Sequence, residues 1–551
     1  MPAEAIRRDY IKVVRLTMFG NKLSAKAKGV TYAATTVAVF TLLNKFVGVF
    51  RDRLLSGTFG AGEELDAYYA AFQVPNFMFG LLVAGAISAG FIPVLTSYMV
   101  QGDSERMDRA AAAFASRVLS VLGMALVVAS VVGAATAHWF VPLFTGGFAE
   151  AQRETAILLT RVMFLSPFFL GLSSVFAGIL QTYKRFLAYS ATPILYNLGI
   201  ILGTLLLSES LGVLGAAIGV GIGAFLHMSL NLVAVLRIGF RFQPVLDLRD
   251  RGIREIARMM VPRTASLALE QANFIVITAI AASIGVGSVS AFNLALNLQY
   301  FPVGILGLSF AVASFPFIAE LAEKQDRTAI VAELSRIVRL IAFLMVPATV
   351  AFVLLRAQIV RVVLGSGAFD WGDTVATADM LSLFSISMLA QALIPLLIKV
   401  FFAHHDVRTP LLIVFLGLGL ERVAAWLLVG AGAGAPALAL AYSVGCILRL
   451  MLLWWLLKRL LGNMDTWRVA RSVGIMALAA LPMALVLQAT KTALGGVVRM
   501  DTFAGVFSQG ALAGLAGLAT YMMMALLLGS PEAKATLALA RARFASSVRR
   551  P

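Results

Sequence analysis

Cysteine and histidine, the residues that most often bind metals or carry redox chemistry, are scarce in this sequence. Cys446 is the only cysteine among 551 residues, so the chain has neither an intrachain disulfide framework nor a thiolate metal site. It lies in an apolar segment, which is typical of an inert core thiol. Of the four histidines, His404 and His405 fall in a predicted cytoplasmic loop, and His227 lies far from them in the sequence. We therefore predict no metal site and no redox chemistry.

Charged residues are also few. They make up 13% of the chain, whereas an average soluble domain carries ~25%, and hydrophobic residues make up 60%. The apolar runs are about 20 residues long, which is the length that a helix needs to cross a bilayer. Membrane strands would instead give segments of ~10 residues with alternating polarity. The sequence therefore predicts an all-α polytopic membrane protein.

Acidic residues are outnumbered, with 28 Asp and Glu against 45 Lys and Arg, and the formal net charge is +17. In a soluble protein this excess would suggest nucleic acid binding, but in a membrane protein Lys and Arg collect in cytoplasmic loops. Windows of hydropathy predict about 14 transmembrane helices, and the cations fall mainly in alternate loops and at both ends. An even number of spans with two basic ends places both termini in the cytoplasm, and we predict no nucleic acid partner.

An internal repeat relates the first two predicted spans to the seventh and eighth. Residues 59–93, "FGAGEELDAYYAAFQVPNFMFGLLVAGAISAGFIP", align with residues 284–316, "IGVGSVSAFNLALNLQYFPVGILGLSFAVASFP". A second match joins "GILQTYKRFLAYSATP" to "KVFFAHHDVRTP". Two six-helix lobes of equal orientation are related by a pseudo-two-fold axis along the membrane normal, and two C-terminal helices are left over. This is a transporter arrangement, with a substrate site between the halves and alternating access.

These patterns divide the chain into six regions. They are a basic cytoplasmic segment at 1–29, an N-lobe at 30–237, a cytoplasmic linker at 238–259, a C-lobe at 260–461, two further helices at 462–529 and a basic cytoplasmic tail at 530–551.

Several cations lie at membrane depth in the first span. An ionisable group inside a membrane costs at least ~2.5–3.5 kcal/mol, so it usually faces a partner or a water-filled cavity. Lys45 and Arg51 have two interpretations, a binding role in a cavity or an ion pair that fixes helix packing. The candidate partners of Arg51 are Asp52 and Asp66. We expect Arg53 to reach the outer interface by snorkelling.

The seventh span also carries charges. Arg263 and Glu270 are seven residues apart and therefore lie on the same helix face. Arg263 can bind substrate or contact lipid phosphate at the start of its helix, and Glu270 can be a coupling group for protons or sodium or a structural counter-ion. Arg449 is another charge at membrane depth, and the adjacent Glu421 and Arg422 indicate a structural pair.

Several motifs together resemble one known family, the MurJ (MviN) lipid II flippases of the multidrug/oligosaccharidyl-lipid/polysaccharide exporter superfamily. They lie between about residues 30 and 460 and read "VGVFRDRLLSGTFGAGEELDAYYAAFQVPN", "AGAISAGFIPVL", "GILQTYKRF" followed by "TPILYN", "FPVGILG" and "DVRTP". The resemblance implies fourteen helices in two lobes around a cationic cavity, with the last two forming a lipid-side groove. It also implies export of an undecaprenyl-pyrophosphate-linked peptidoglycan precursor, lipid II, from the inner to the outer leaflet.

The resemblance further implies a set of site residues. Lys45 stands where the family often has arginine, and Arg51, Asp52 and Asp66 match functional positions. Asn297 stands where an arginine is expected. Arginine suits a pyrophosphate because its planar fork donates two parallel hydrogen bonds, and lysine adds a point charge.

The sequence departs from the family pattern after the "PN" of the second span. A doubled arginine and a glutamate are replaced there by Phe79, Gly80 and Ala84, so Arg263 is a candidate replacement cation. We place Lys45, Arg51, Asp66, Arg263 and Asn297 in the substrate site. Asp52 and Glu270 are possible coupling or counter-ion residues.

The leading functional hypothesis is a lipid II flippase in the bacterial cytoplasmic (inner) membrane. The alternative is a related ion-coupled exporter of another lipid-linked saccharide or of drugs. A membrane enzyme is disfavoured, because the sequence has no Walker motif, no clustered acidic metal ligands and no histidine phosphatase pattern. We expect no cofactor, although the membrane potential or a monovalent cation can drive transport. Glycines such as those of "GAAIGVGIGA" are predicted to let helices approach closely.

Overall fold

The computed structural model describes residues 25–84, 90–99 and 107–538, and in this part of the chain all regular structure is helical. The N-lobe contains α1 (Ala25–Phe59), α2 (Glu63–Phe79), α3 (Ile92–Ser97), α4 (Arg109–Phe144), α5 (Glu150–Met163), α6 (Leu165–Thr182), α7 (Phe186–Leu211) and α8 (Val213–Arg237). The C-lobe contains α9 (Arg251–Ile284), α10 (Ser288–Pro302), α11 (Ser309–Glu323), α12 (Arg327–Leu354), α13 (Arg356–Leu364), α14 (Trp371–Ser385), α15 (Met388–Ala403), α16 (Arg408–Gly430) and α17 (Pro436–Leu461). Two helices follow, α18 (Thr466–Gly495) and α19 (Phe503–Leu527).

The helices have the length and composition of membrane spans. Within the described residues, ten are long and apolar enough to cross a membrane, and α14 and α15, bent by 46°, can make an eleventh. The all-α polytopic fold is therefore confirmed, whereas the count of fourteen stays a prediction. Helix α9 begins at Arg251, nine residues before the predicted start at 260. The Asp250 side chain caps it there by accepting a hydrogen bond from the Ile253 N–H at 3.1 Å.

Glycines bring α7 and α8 into backbone contact. A Cβ atom added to Gly199 would lie 2.2 Å from the Cα of Gly223, and one added to Gly203 would lie 2.4 Å from the Cα of Gly219. No side chain fits at these positions, so the two helices pack through their main chains. The prediction that glycines serve close helix approach is confirmed here.

The internal repeat is visible in the backbone. A π-helical turn follows α2 at Gly80–Ala84, and another follows α10 at Val303–Leu308. The turns after α6 and α15 each contain a non-glycine residue with a left-handed backbone, Lys184 at φ 57° and His405 at φ 60°. Such conformations are rare outside glycine, so their recurrence at matching places reflects the repeated chain path.

Helices α18 and α19 lie against α12, outside the two lobes. The hydroxyl of Tyr521 donates to the carbonyl oxygen of Phe343 at 3.0 Å, and Arg339 forms a buried ion pair with Glu532 at 2.6 Å. These contacts attach the C-terminal helices to the C-lobe.

Candidate functional site

A cavity of about 340 Å³ lies between α1 and helices of the C-lobe, and Lys45 is in its wall. The side chain of Lys45 forms no hydrogen bond or ion pair with any residue that the structure describes. It extends towards the π-helical turn of the C-lobe, where a Cβ atom added to Gly304 would lie 3.9 Å from the Lys45 Nζ. The predicted cation thus lies in a space between the two lobes, as the repeat predicted for a substrate site.

Arg51 is engaged by its neighbours in this conformation. Its Nε and Nη2 atoms donate to Asp52 Oδ1 at 3.0 and 2.6 Å, and its Nη1 donates to Asn197 Oδ1 at 2.8 Å. Of the two acidic partners considered for Arg51, the structure selects Asp52. Asn197 also donates to Asn44 Oδ1 at 2.9 Å. Asp52 and Asn197 therefore hold the guanidinium in the N-lobe, and Asn44 supports Asn197.

Asp52 connects this group to the C-lobe. Its second oxygen accepts a hydrogen bond from Asn297 Nδ2 at 3.1 Å, and its side chain is only 9% exposed. The structure thus brings together Arg51, Asp52 and Asn297, three of the predicted residues. An asparagine at position 297 can donate to the Asp52 carboxylate without adding another charge.

Asp66 has a different setting. It is fully buried, and its two oxygens accept from the backbone N–H groups of Gly287 and Ser290, each at 2.7 Å. Gly287 precedes α10 and has no side chain with which to cap it. The carboxylate of the N-lobe therefore caps a helix of the C-lobe, where it also meets the positive end of the helix dipole.

A second carboxylate makes the reverse contact. Asp373 of the C-lobe accepts from the backbone N–H of Ala61 at 2.9 Å. Ala61 lies in the first glycine turn, residues 60–62, and Gly287 lies in the second glycine turn, residues 285–287. We refer to the end of the bundle with both turns as the glycine-turn end. Reciprocal carboxylate contacts join the lobes there.

Arg53 strengthens the same end. Its Nη1 donates to the carbonyl oxygens of Val362 and Val363 at 2.7 and 3.2 Å, and the Ala368 N–H donates to the Gly57 oxygen at 2.8 Å. The expectation that Arg53 snorkels to the outer interface stays a prediction. In this conformation its guanidinium binds the last carbonyl groups of α13, which lack helical partners.

The remaining predicted residues belong to α9. The backbones of Arg263 and Glu270 are helical, but their side chains lie outside those that the structure describes. Both predictions therefore stay as they were. Sequence reasoning missed Asn197 and Asp373, because an uncharged amide and a carboxylate in the first turn of a helix carry no signal of a long-range partner.

Known proteins resemble the chain over most of its length. A family model described as lipid II flippase MurJ matches residues 55–503. The lipid II flippase MurJ of Burkholderia cenocepacia is 29% identical over 435 residues, which cover 78% of this chain and 83% of that protein. The probable lipid II flippase MurJ of Vibrio cholerae is 28% identical over 511 residues, which cover 90% of this chain and 95% of that protein.

Solved structures share the fold. One is a lipid II flippase MurJ in an inward closed conformation, with a TM-score of 0.74 and 21% identity, covering 89% of this chain and 98% of that one. Another is an inward-facing multidrug resistance transporter of the MATE family in the MOP superfamily, with a TM-score of 0.65 and 15% identity, covering 79% and 99%. The family match spans well over half of the sequence and includes Asp66, Asn297 and Asp373. This chain therefore belongs to the lipid II flippase MurJ family.

Proposed function

We propose that this chain is a transporter that moves lipid II, the lipid-linked peptidoglycan precursor, from the inner to the outer leaflet of the bacterial cytoplasmic membrane. Family membership over residues 55–503 carries the proposal. The cavity between the lobes supports it, because a cation in a low-dielectric setting strongly attracts phosphate. Lipid II and the surrounding membrane lipids are the partners, and the protein catalyses no bond cleavage.

Transport proceeds by alternating access of the two lobes. The contacts of Asp66 and Asp373 close the glycine-turn end in this conformation. We assign this end to the outside, since α1 runs towards it from the basic N-terminal segment, which belongs in the cytoplasm. Lipid II then enters from the cytoplasmic end and leaves when the contacts between the glycine turns break.

The cations take unequal roles. Lys45 contacts the pyrophosphate directly, because no described residue competes for its charge. Arg51 must exchange its bonds with Asp52 and Asn197 for bonds to phosphate oxygens. Asn297 keeps Asp52 in place during this exchange.

Three other residues complete the proposal. Arg263 supplies a further cation at the start of the α9 membrane segment. Glu270 serves as a coupling residue or as a counter-ion to that cation. Asp66 affects substrate binding by holding the lobes closed at the glycine-turn end. The energy comes from the membrane potential or a monovalent-cation gradient, which ionophores added to transporting vesicles would test.

Reconstituted translocation tests the function. Vesicles that contain the purified protein and fluorescent lipid II are treated with an impermeant quencher, and the protected fraction is followed over time. We expect lipid II to be transferred faster than in protein-free vesicles. A soluble marker enclosed in the vesicles controls for leakage. Transfer no faster than in these controls would reject the proposal.

Variants of Arg51 test the site in the same vesicles. Arg51→Lys keeps the charge but loses the planar fork, so the flipping rate should fall. Arg51→Ala should lower the rate further, by an amount that corresponds to roughly 1.5–3 kcal/mol in activation free energy. If Arg51 and Asp52 form a purely structural pair, Arg51→Ala and Asp52→Asn should instead lower the yield of folded protein to a similar extent. Normal flipping by well-folded Arg51→Ala would remove Arg51 from the site.

Cysteine labelling tests the orientation. Glu209 lies in the last turn of α7 and Lys534 lies after α19, and both are exposed. In a Cys446→Ser background, an impermeant thiol reagent should label Glu209→Cys from outside and Lys534→Cys from inside. Labelling of both from one side would contradict the assignment.

A further inference from the structure

The cavity beside Lys45 has a second cation in its wall, contributed by the C-lobe. Arg449 of α17 lines this cavity together with Tyr300, Gln391 and Tyr442. The hydroxyl oxygens of Tyr300 and Tyr442 lie 3.3 Å apart, and the Tyr442 hydroxyl lies 3.5 Å from Gln391 Oε1. The C-lobe part of the cavity wall thus presents a guanidinium group and several polar groups, and the N-lobe part presents the ammonium group of Lys45.

Arg449 belongs to a cluster with two guanidinium groups and one carboxylate. Glu421, whose side chain is 1% exposed, accepts a hydrogen bond from Arg422 Nη2 at 2.5 Å. The Nη2 atom of Arg449 is 3.8 Å from the other Glu421 oxygen and donates to Cys446 Sγ, a weak acceptor, at 3.1 Å. One carboxylate neutralises only one of the cations, so the described part of the cluster keeps a surplus positive charge.

Hydrogen bonding in this cluster is also incomplete. The Nε and Nη1 atoms of Arg422 and the Oε2 atom of Glu421 are buried and have no hydrogen-bond partner among the described residues. Arg449 is the guanidinium that reaches the cavity, and its side chain is 13% exposed. Unneutralised charge is costly in a low-dielectric interior. An anion in the cavity would offset this charge through Arg449.

We propose that Arg449 is a second anion-binding residue of the cavity, which contacts the pyrophosphate of the lipid-linked substrate from the C-lobe while Lys45 contacts it from the N-lobe. This assignment rests on the proposed function. The guanidinium fork matches two phosphate oxygens, and the hydroxyl and amide groups of Tyr300, Tyr442 and Gln391 suit the sugar that follows. A substrate held in this way links the lobes through its own charge.

The test measures binding by the full-length protein in lipid nanodiscs. The probes are lipid II and undecaprenyl pyrophosphate, which has no glycan, and inorganic pyrophosphate serves as a competitor. We expect Arg449→Gln to weaken the binding of both lipids by about tenfold or more, because a charged hydrogen-bond donor is lost. Arg449→Lys should recover part of the binding. A loss confined to lipid II would overturn the contact with pyrophosphate, and so would competition by inorganic pyrophosphate that Arg449→Gln leaves unchanged.

A double variant separates binding from packing. If Arg449 only balances the charge of Glu421, then Glu421→Gln combined with Arg449→Gln should restore wild-type binding. If Arg449 contacts the ligand, the double variant stays weak and Glu421→Gln alone binds at least as well as the wild type. Restored binding in the double variant would overturn the inference while the wild type still flips lipid II. Failure of the wild type to flip lipid II would instead reject the proposed function.

Discussion

The first glycine turn, residues 60–62, and the second, residues 285–287, occupy corresponding places in the two lobes. Each receives a carboxylate from the opposite lobe, but the carboxylates come from positions that the repeat does not relate. Asp66 lies in the first turn of α2 and makes two buried hydrogen bonds to the opposite lobe, whereas Asp373 in α14 makes one such bond and is partly exposed. The two turns thus correspond in the repeat, but the carboxylates that bind them do not, and they make different numbers of hydrogen bonds.

The glycines differ in the same way. Gly287 has φ +84°, and a Cβ atom there would lie 2.4 Å from the carbonyl oxygen of Ala61 in the other turn. Gly62, its counterpart, has φ −118°, and the nearest atom to an added Cβ is the Phe59 oxygen at 3.9 Å. Of this pair, only Gly287 therefore needs glycine for contact between the lobes, whereas in the first turn the close position is Gly60, with φ +66° and an added Cβ atom 3.1 Å from the Ala368 oxygen.

The largest expected effect comes from Asp66→Ala. Its two hydrogen bonds involve a charged acceptor, each contributing about 1.5–3 kcal/mol, so closure should weaken by at least about 3 kcal/mol. Spin labels are placed at the exposed positions Glu150 and Trp371, one in each lobe near the turns. Double electron–electron resonance should then show longer distances between the two labels. The control is Glu63→Ala, an exposed acid on the same helix turn. Unchanged distances in Asp66→Ala would show that other contacts suffice for closure.

Gly287→Ala should have the next largest effect. The methyl group would collide with Ala61 only when the lobes are together, and such overpacking costs about 1–3 kcal/mol. The label distances should therefore lengthen, whereas Gly62→Ala should change closure by less than about 0.5 kcal/mol. Gly285→Ala, at φ +153° with no atom within 4 Å, controls for backbone strain alone. Equal effects at 62 and 287 would contradict the asymmetry of the turns.

Asp373→Ala should have the smallest effect. It removes one hydrogen bond to the first turn at a partly exposed site, which is worth about 1 kcal/mol. Asp370→Ala is the matched control, because it removes the side chain that accepts from the Asp373 N–H at 2.8 Å and leaves the bond to Ala61. The same label pair measures both. A larger shift for Asp373→Ala than for Asp66→Ala would reverse the proposed ranking.

The sequence was sufficient for the architecture. Long apolar runs predict helices because a bilayer leaves the backbone no other partners, and the matching segments at 59–93 and 284–316 predict the repeat. The resemblance also led to Arg51, Asp52 and Asn297, which the fold brings together. Their role in substrate binding stays a prediction.

The contacts at the turns could not be predicted in the same way. Asp66 and Arg53 bind main-chain groups of the other lobe, and every residue has such groups, so no residue type marks the partner. The charge on Arg449 was visible in the sequence, but its place in the cavity depends on how α17 faces α1 across the lobes. Side-chain identity gives the chemistry of such groups, and only the fold gives their neighbours.

The glycine contact between α7 and α8 has a consequence for the order of folding. The two helices are consecutive, and Gly212 alone connects them, so their docking closes a very short loop and costs little chain entropy. The contact between Gly287 and Ala61 joins segments that are far apart in the sequence. We expect the α7 and α8 hairpin to assemble as soon as both helices are in the bilayer. The lobes can meet at their turns only after the first helices of the C-lobe have been synthesised and inserted.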